Sequence, residues 1–454
     1  MASSAFLISM FVVLVIGLLT GHQMAFVLGG IGTVFGYIGW GDTINSIFAT
    51  RVWDTMNSYS LIAIPMFVLM ANFLTASGVA DGLFDSVKLL FGKMKGGLGI
   101  AVIVVSTIFA ATTGVVGASV TTMGLLALPV LMKNGYNKEL SCGTVAAGGT
   151  LGILIPPSMM LVLMGSYSTV SVGQLFSAAL VPGLSLSALY IVYIVVMCRL
   201  HPDYGPGMSE EELSQYTMAT KLKNCAVNLV PPLILILAVL GSIFTGYATP
   251  TEASGVGAFA AMILCACYGK LNWKIIHDSM LDTAKTTAMC FVIVFGANAF
   301  SSAFLGMGGA DMVTRLVHSL GLSGTGVFIV MLVIAFILGC FIDWIGIVMI
   351  LFPIFLPILD TYGYDRLVVV ATCAVLLQTC FLTPPFGFSL FYLNGLNVPG
   401  IKLSHIYRGI IPFVVIILIV TALCIAFPNV MYGLAMNTAE AAAEAGAEAA
   451  VVAG

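Results

Sequence analysis

The sequence predicts an all-α polytopic membrane fold assembled from two inverted halves, and three observations predict it. The chain is 60% hydrophobic and only 8% charged, with a mean hydropathy of +1.11, where soluble domains carry about 25% charged residues. Apolar segments of bilayer-crossing length recur along its whole length. Among them are LGILIPPSMM at 151–160 and FLTPPFGFSL at 381–390, each with adjacent prolines inside its apolar run. An interior proline removes a helical hydrogen bond and costs roughly 3 kcal/mol, and in hydrocarbon the freed carbonyls find no water.

Segments able to cross about 30 Å of hydrocarbon lie near 4–20, 22–40, 57–77, 139–165, 174–198, 227–245, 248–269, 285–306, 366–395 and 409–430, giving ten transmembrane helices. The first has no Lys or Arg before it and no small-residue cleavage site, so it reads as a span and not as a signal peptide. Two further regions, 98–132 and 324–360, are interrupted by ATTGVVGAS (111–119) and GCFIDWIG (339–346). Their halves of about 14 residues, or about 21 Å at helical rise, are too short to cross. Both read as re-entrant helical hairpins with tips near the midplane. Segments 80–92 and 310–320 are short, amphipathic and expected along the interface.

With the N-terminus outside, thirteen of the sixteen Lys and Arg fall on the cytoplasmic side and only Arg51, Arg315 and Arg366 on the other. Such a bias is what orients membrane proteins. The first hairpin then enters from the cytoplasm and the second from outside.

The double proline is part of a longer repeat. LPVLMKNGY (128–136) aligns without a gap with LPILDTYGY (356–364), and the register holds to Pro156 and Pro157 against Pro384 and Pro385, with ten of thirty positions identical. Similar offsets pair Gly21, Gly30 and Gly32 with Gly246, Gly255 and Gly257, Asn72 with Asn298, and Asp81 with Asp311. Each half holds five spans and a hairpin, and an odd number of crossings turns the second copy upside down. The halves are 1–200 (hairpin 98–132, broken helix 139–165) and 227–430 (hairpin 324–360, broken helix 366–395), joined by a hydrophilic cytoplasmic linker at 201–226 and followed by an Ala/Glu-rich tail at 431–454. Inverted repeats with broken helices are the architecture of secondary transporters, whose sites lie near the midplane where the repeats meet.

The interruptions carry the candidate chemistry. A cation stripped of water takes about five or six oxygens, which unwound carbonyls and Ser, Thr or Asn side chains supply. The first tip offers Thr112, Thr113, Gly114 and Ser119, and the first break offers Gly149, Thr150, Pro156 and Ser158. The second tip offers Gly339, Asp343 and Gly346, and the second break Gln378, Thr379 and Thr383. Both sets suit sodium as a coupling ion. Asp343 reads as a cation ligand, as a cap of the second hairpin helix, or as both, because a charge at bilayer depth costs at least about 2.5 to 3.5 kcal/mol on insertion scales. Ser119, Ser158 and Trp344 are candidates for contact with substrate. Back-bonding to the helix accounts equally for Ser119, and packing for Trp344.

The composition also excludes. The ten cysteines show no CxxC spacing, so no disulfide framework or zinc site is indicated. Neither GxxxxGK[ST], HExxH nor GxSxG occurs. ATP-driven transport and standard hydrolase chemistry are therefore disfavoured, nothing suggests nucleic-acid binding, and no cofactor is expected beyond sodium ions. An intramembrane aspartyl enzyme would need a second buried acid facing Asp343, and a channel would show non-saturating currents.

AAGGTLGILIPPS (146–158), VGQLFSAALVPG (172–183), GYATPTEASGVGA (246–258) and LTPPFG (382–387) are similar to motifs of the large membrane (M) subunit of the tripartite ATP-independent periplasmic (TRAP) transporters, within the ion transporter superfamily. The resemblance extends over 1–430. It implies a bacterial inner-membrane protein that works as an elevator, with a transport domain of hairpins and broken helices sliding against a scaffold and carrying sodium and a carboxylated substrate inward. It also implies a periplasmic substrate-binding protein and a small four-helix membrane subunit, expected here as a separate partner. By position it carries site roles to Thr112 to Gly114, Gly149 to Ser158, Asp343 and Thr383. A stand-alone cation-coupled symporter of the same superfamily is the alternative.

Overall fold

A computed structural model describes residues 4–208 and 217–436, apart from the side chains of Ala110, Thr112, Thr113 and Met218. The middle of the expected linker (209–216) and the Ala/Glu-rich residues from 437 onward lie outside the described residues. The regular elements among the described residues are all helices. The first half holds α1 (Ser4–Leu19), α2 (Met24–Trp40), α3 (Thr43–Met56), α4 (Ala63–Ala76), α5 (Val79–Phe91), α6 (Gly97–Thr113), α7 (Val116–Lys133), α8 (Lys138–Thr150), α9 (Met159–Ser168) and α10 (Val172–Leu200). The second holds α11 (Met218–Phe244), α12 (Pro250–Cys267), α13 (Trp273–Gly306), α14 (Gly309–Ser319), α15 (Gly324–Gly339), α16 (Trp344–Thr361), α17 (Arg366–Leu377), α18 (Phe388–Gly395) and α19 (Leu403–Ala426).

The halves share one plan. Helices α7 and α16 begin and end 228 residues apart (116 against 344, 133 against 361), and α8 and α17 begin at the same offset (138 against 366). They differ at one place. α3 and α4 are separated by a turn at Asn57 and Ser58, whereas their counterpart α13 runs unbroken for 34 residues, about 51 Å at helical rise.

Several boundaries differ from the sequence reading. The hairpin arms are 17, 18, 16 and 18 residues long, not about 14, because each tip is far tighter than its Gly-rich sequence suggests. Only Gly114 and Val115 leave the helix in the first hairpin and residues 340–343 in the second. Gly114 makes this possible with φ +58°, a conformation that costs other residues roughly 1–2 kcal/mol. Eight helical stretches have the length and apolarity to cross a bilayer, α7 and α16 among them, against the ten spans expected. α1 and α2, at 16 and 17 residues, are shorter, and both broken helices are built in two pieces. The span expected at 285–306 starts twelve residues earlier, where Asn272 caps α13 by accepting a hydrogen bond from Ile275 N (2.9 Å). The tail expected from 431 begins as packed helix: Tyr432 is buried and its hydroxyl pairs with Thr372 Oγ1 at 2.8 Å.

Two sets of helices pack within themselves and meet where α13 lies on α16 and α4 lies on α6 and α9. α2 lies on α13, and α4 on α12 and α13; α8 lies on α7 and α19, and α17 on α10 and α19. The closest crossings depend on glycine. A methyl group on Gly143 would stand 2.0 Å from the carbonyl oxygen of Gly409, and one on Gly409 would stand 2.1 Å from that of Glu139. Backbone contact of this kind is how membrane helices gain packing energy without a hydrophobic drive. The first part of the linker is tied down as well, with Gly96 N donating to Gly205 O and Met208 N to Gly92 O, both at 2.8 Å.

Replacing Gly409 with Val forces α8 and α19 apart along their whole contact. We expect Gly409→Val to abolish most monodisperse protein in detergent gel filtration, with Gly395→Val, which meets nothing within 4 Å, as the tolerated control.

Candidate functional site

Each hairpin tip docks on the break of its own half. In the first half a methyl on Gly114 would lie 3.2 Å from Pro157 O, and one on Gly149 would lie 2.3 Å from Val120 on α7. In the second, a methyl on Gly339 would reach Cys380 Sγ at 2.5 Å, and Phe386 N donates to Cys340 O at 3.2 Å. Both breaks are formed alike: a helix tightens into a 3-10 turn, leaves helical geometry through the proline pair, and restarts. The peptide between the two prolines is cis in each.

Both tips and both breaks meet around one cavity of about 190 Å³, closed on a further side by α13. Its walls include Val116 and Gly117 at the start of α7, Met159 at the start of α9, Trp344 and Ile345 at the start of α16, and Phe388 at the start of α18. Four helix N-termini therefore point at one space. Each presents first-turn N–H groups, those of α9 partly capped by Ser158, and the positive end of a helix dipole, equivalent to about half an elementary charge. Asp343, at the N-cap position of α16, is the carboxylate among the lining residues. A second cavity of about 550 Å³ adjoins the first through Met289, Ile293, Asp343 and Phe388 and opens past His22 and Gln23 in the α1–α2 turn.

The candidate ion ligands sit behind this wall. Thr150, Gln378 and Thr379 are fully buried and Thr383 nearly so. Thr150 Oγ1 donates to Ala147 O (2.8 Å), Thr379 Oγ1 to Leu376 O (2.7 Å) and Thr383 Oγ1 to Thr379 O (2.9 Å). Each hydroxyl has its hydrogen committed and its lone pairs free to accept. Gln378 is different: neither end of its amide is hydrogen-bonded. Pro156 and Gly149 contribute backbone at the first break, and Gly114 and Gly339 at the tips; the side chains of Thr112 and Thr113 lie outside the described residues. Gly346 packs against Ile342 and Met24.

Of the three residues expected at the substrate, Trp344 lines the cavity. Ser158 does not. Its Oγ donates to Ile153 O and accepts from Leu161 N, which makes it the cap of α9, and the adjacent Met159 takes the wall. Ser119 is buried one turn into α7.

The whole span 7–430 matches the family model described as the DctM component of tripartite ATP-independent periplasmic transporters. The chain belongs to this family. It is 31% identical to the C4-dicarboxylate TRAP transporter large permease of Pseudomonas aeruginosa, over 86% of this chain and 90% of that protein. It is 28% identical to the sialic acid TRAP transporter large permease of Vibrio cholerae, over 84% of this chain and 87% of that one. Its fold is similar to that of the crystallised YdaH transporter of Alcanivorax borkumensis, with a TM-score of 0.67 at 14% identity over 92% of this chain and 99% of the other. It is a multi-pass membrane protein and a transport permease, not an enzyme.

In this TRAP permease three features escape sequence reading, two of them in the cavity wall. Thr286, Met289, Cys290 and Ile293 line it from α13; their helical spacing is visible, but KTTAM falls at the edge of the expected span. Tyr392 lies one turn beyond Phe388, and its ring would be 3.0 Å from a methyl on Gly117. Arg366 ties the halves together. Its guanidinium clamps Asp360 (Nε to Oδ1 3.0 Å, Nη2 to Oδ2 2.5 Å) while Nη1 donates to Thr169 Oγ1 (2.7 Å) and Ser168 O (3.3 Å), at the end of α9. A cation there complements the negative end of that helix. The pair is partly exposed, so its removal costs about 1 kcal/mol. Arg366→Ala is expected to lower the unfolding midpoint in detergent by a few degrees, with Arg366→Lys recovering part of the loss.

Proposed function

We propose that this permease imports an organic acid together with sodium ions, the acid being delivered by a periplasmic binding protein. The observation that carries the reading is the convergence of both hairpin tips and both breaks on one cavity. The four helix N-termini favour a bound carboxylate. The breaks behind them present carbonyls, three threonine oxygens and the Gln378 amide, the donor set of a hard cation. A buried amide without partners costs about 1–3 kcal/mol, and ligation of an ion by its oxygen offsets that cost. The two permease relatives named above act on C4-dicarboxylates and sialic acid, both carboxylated, which supports the same substrate class here.

The partners are the periplasmic binding protein and a small four-helix membrane subunit, in a bacterial inner membrane with the N-terminus outside. The two packing groups take the roles of frame (α1–α4 and α11–α13) and carrier (α6–α10 and α15–α19). The seam between them holds a few specific hydrogen bonds: Ser301 Oγ to Met349 O (2.5 Å), and Tyr167 OH with Asn298 Nδ2 (3.1 Å) and with Thr55 Oγ1 (3.3 Å). Sliding of the carrier breaks them once per cycle.

Reconstituted with its partners, the permease is expected to accumulate substrate only under an inward sodium gradient; equal uptake in potassium alone would sink the sodium coupling. Asp343→Ala should abolish or strongly weaken that uptake while the protein still inserts. Gln378→Leu should stabilise the sodium-free protein and remove its thermal stabilisation by sodium. For the elevator, a disulfide between cysteines placed at Thr55 and Tyr167 should stop uptake and dithiothreitol should restore it. Undiminished uptake by the crosslinked protein rules out movement at this seam.

A further inference from the structure

The cavity that would hold the substrate is poor in fixed positive charge. Among the described residues lining it there is no Lys, Arg or His; its polar side chains are Thr286, Cys290, Tyr392, Trp344 and Asp343, and its remaining walls are aliphatic or aromatic. The adjoining 550 Å³ cavity adds only His22 and Gln23, at its mouth. The counter-charge for an anion is therefore limited to the helix N-termini and whatever cation is bound behind them. A first carboxylate is accommodated by that arrangement. A second carboxylate on the same molecule would meet apolar wall or Asp343 itself, and like charges brought together in a desolvated site are strongly disfavoured.

The character of the walls narrows the substrate further. The apolar residues that dominate this cavity and its 550 Å³ neighbour leave most hydroxyls of a polyhydroxylated sugar acid without hydrogen-bond partners. Asp343, the one carboxylate among the described lining residues, offers a hydrogen-bond acceptor to a donor on the ligand.

Resting on the transport function proposed above, we infer that the substrate is a small acid with a single carboxylate, an apolar body and one hydrogen-bond donor, hydroxyl or ammonium, that faces Asp343. The carboxylate lies at the helix N-termini of α7, α9 and α18. The body lies against Val116, Ile293 and Phe388. Neither a dicarboxylate nor a polyhydroxylated sugar acid fits this pattern, although relatives of this chain carry both.

The test measures equilibrium binding and thermal stabilisation on the purified full-length permease in sodium buffer, which leaves out the binding protein and its own selectivity. Four probes are compared: 2-hydroxyisocaproate, leucine, succinate and N-acetylneuraminate. At least one of the first two should bind about a hundredfold or more tighter than either of the others, the size expected from several kcal/mol of like-charge cost; the tighter of the two identifies the donor. Succinate or N-acetylneuraminate binding as well as the better monocarboxylate overturns the inference, and so does binding of neither monocarboxylate. Met289→Lys supplies a cation at the junction of the two cavities and should raise succinate affinity at least tenfold; an unchanged value counts against the inference. Repeating the titrations in potassium separates the two proposals: sodium-dependent binding with succinate preferred removes the substrate class and leaves the coupling, whereas sodium-independent binding of the monocarboxylate does the reverse.

Discussion

Hydrocarbon offers the backbone no hydrogen-bond partners, and the architecture of this protein follows from how that constraint is met at the points where helices stop inside the bilayer. A helix that ends at the midplane leaves N–H groups or carbonyls to be satisfied by something other than lipid. Here four such ends face one another. The hairpin tips close over the breaks through Gly114, Gly149 and Gly339, which let backbone approach backbone. Everything outside this centre serves to hold the ends in place. The Gly143–Gly409 crossing sets the depth of α8 against α19, and Arg366 pins the far end of α9 to the other half.

The inverted repeat explains why the arrangement is complete. One hairpin and one broken helix present two positive ends to one side of a site and leave the opposite side open. The second copy supplies the missing side with its own hairpin tip and break. It also supplies an acid where the first has none: Asp343 stands at the second tip, and the aligned position of the first copy is Val115. The site is thus symmetric in its helix ends and polar in its side chains, which gives a bound molecule a preferred orientation.

Much of this was legible in the sequence, because proline pairs, apolar length and a gapless repeat are strong local signals. The break residues and the acid at the second tip could be named from spacing alone. What escaped were features set by contact between distant segments. The hairpin tips were drawn too long because glycine-rich sequence marks where a turn is possible, not how many residues it takes. Helix α3 was overlooked because its Arg51, Asp54 and polar neighbours break the apolar run, although its equivalence to the start of α13 is plain once both are seen. Ser158 reads from the sequence as a polar residue beside a break; that its hydroxyl caps the restart of α9 is set by the fold. Tyr392 and Thr286 reach the cavity only through the crossing of α18 and α13 with the tips, which no periodicity reports.

The turn at Asn57 and Ser58 has a thermodynamic consequence. Two identical inverted copies that exchange conformations would give two end states of equal free energy, as a matter of symmetry. In this chain one copy has a jointed pair, α3 and α4, where the other has a single 34-residue rod. That difference lifts the degeneracy. Under the proposed mechanism the empty carrier therefore has a resting bias toward one side of the membrane, written into the covalent chain before any ion gradient is applied; over a complete cycle that offset cancels, so it sets how long the carrier waits on each side and not the work drawn from the gradient.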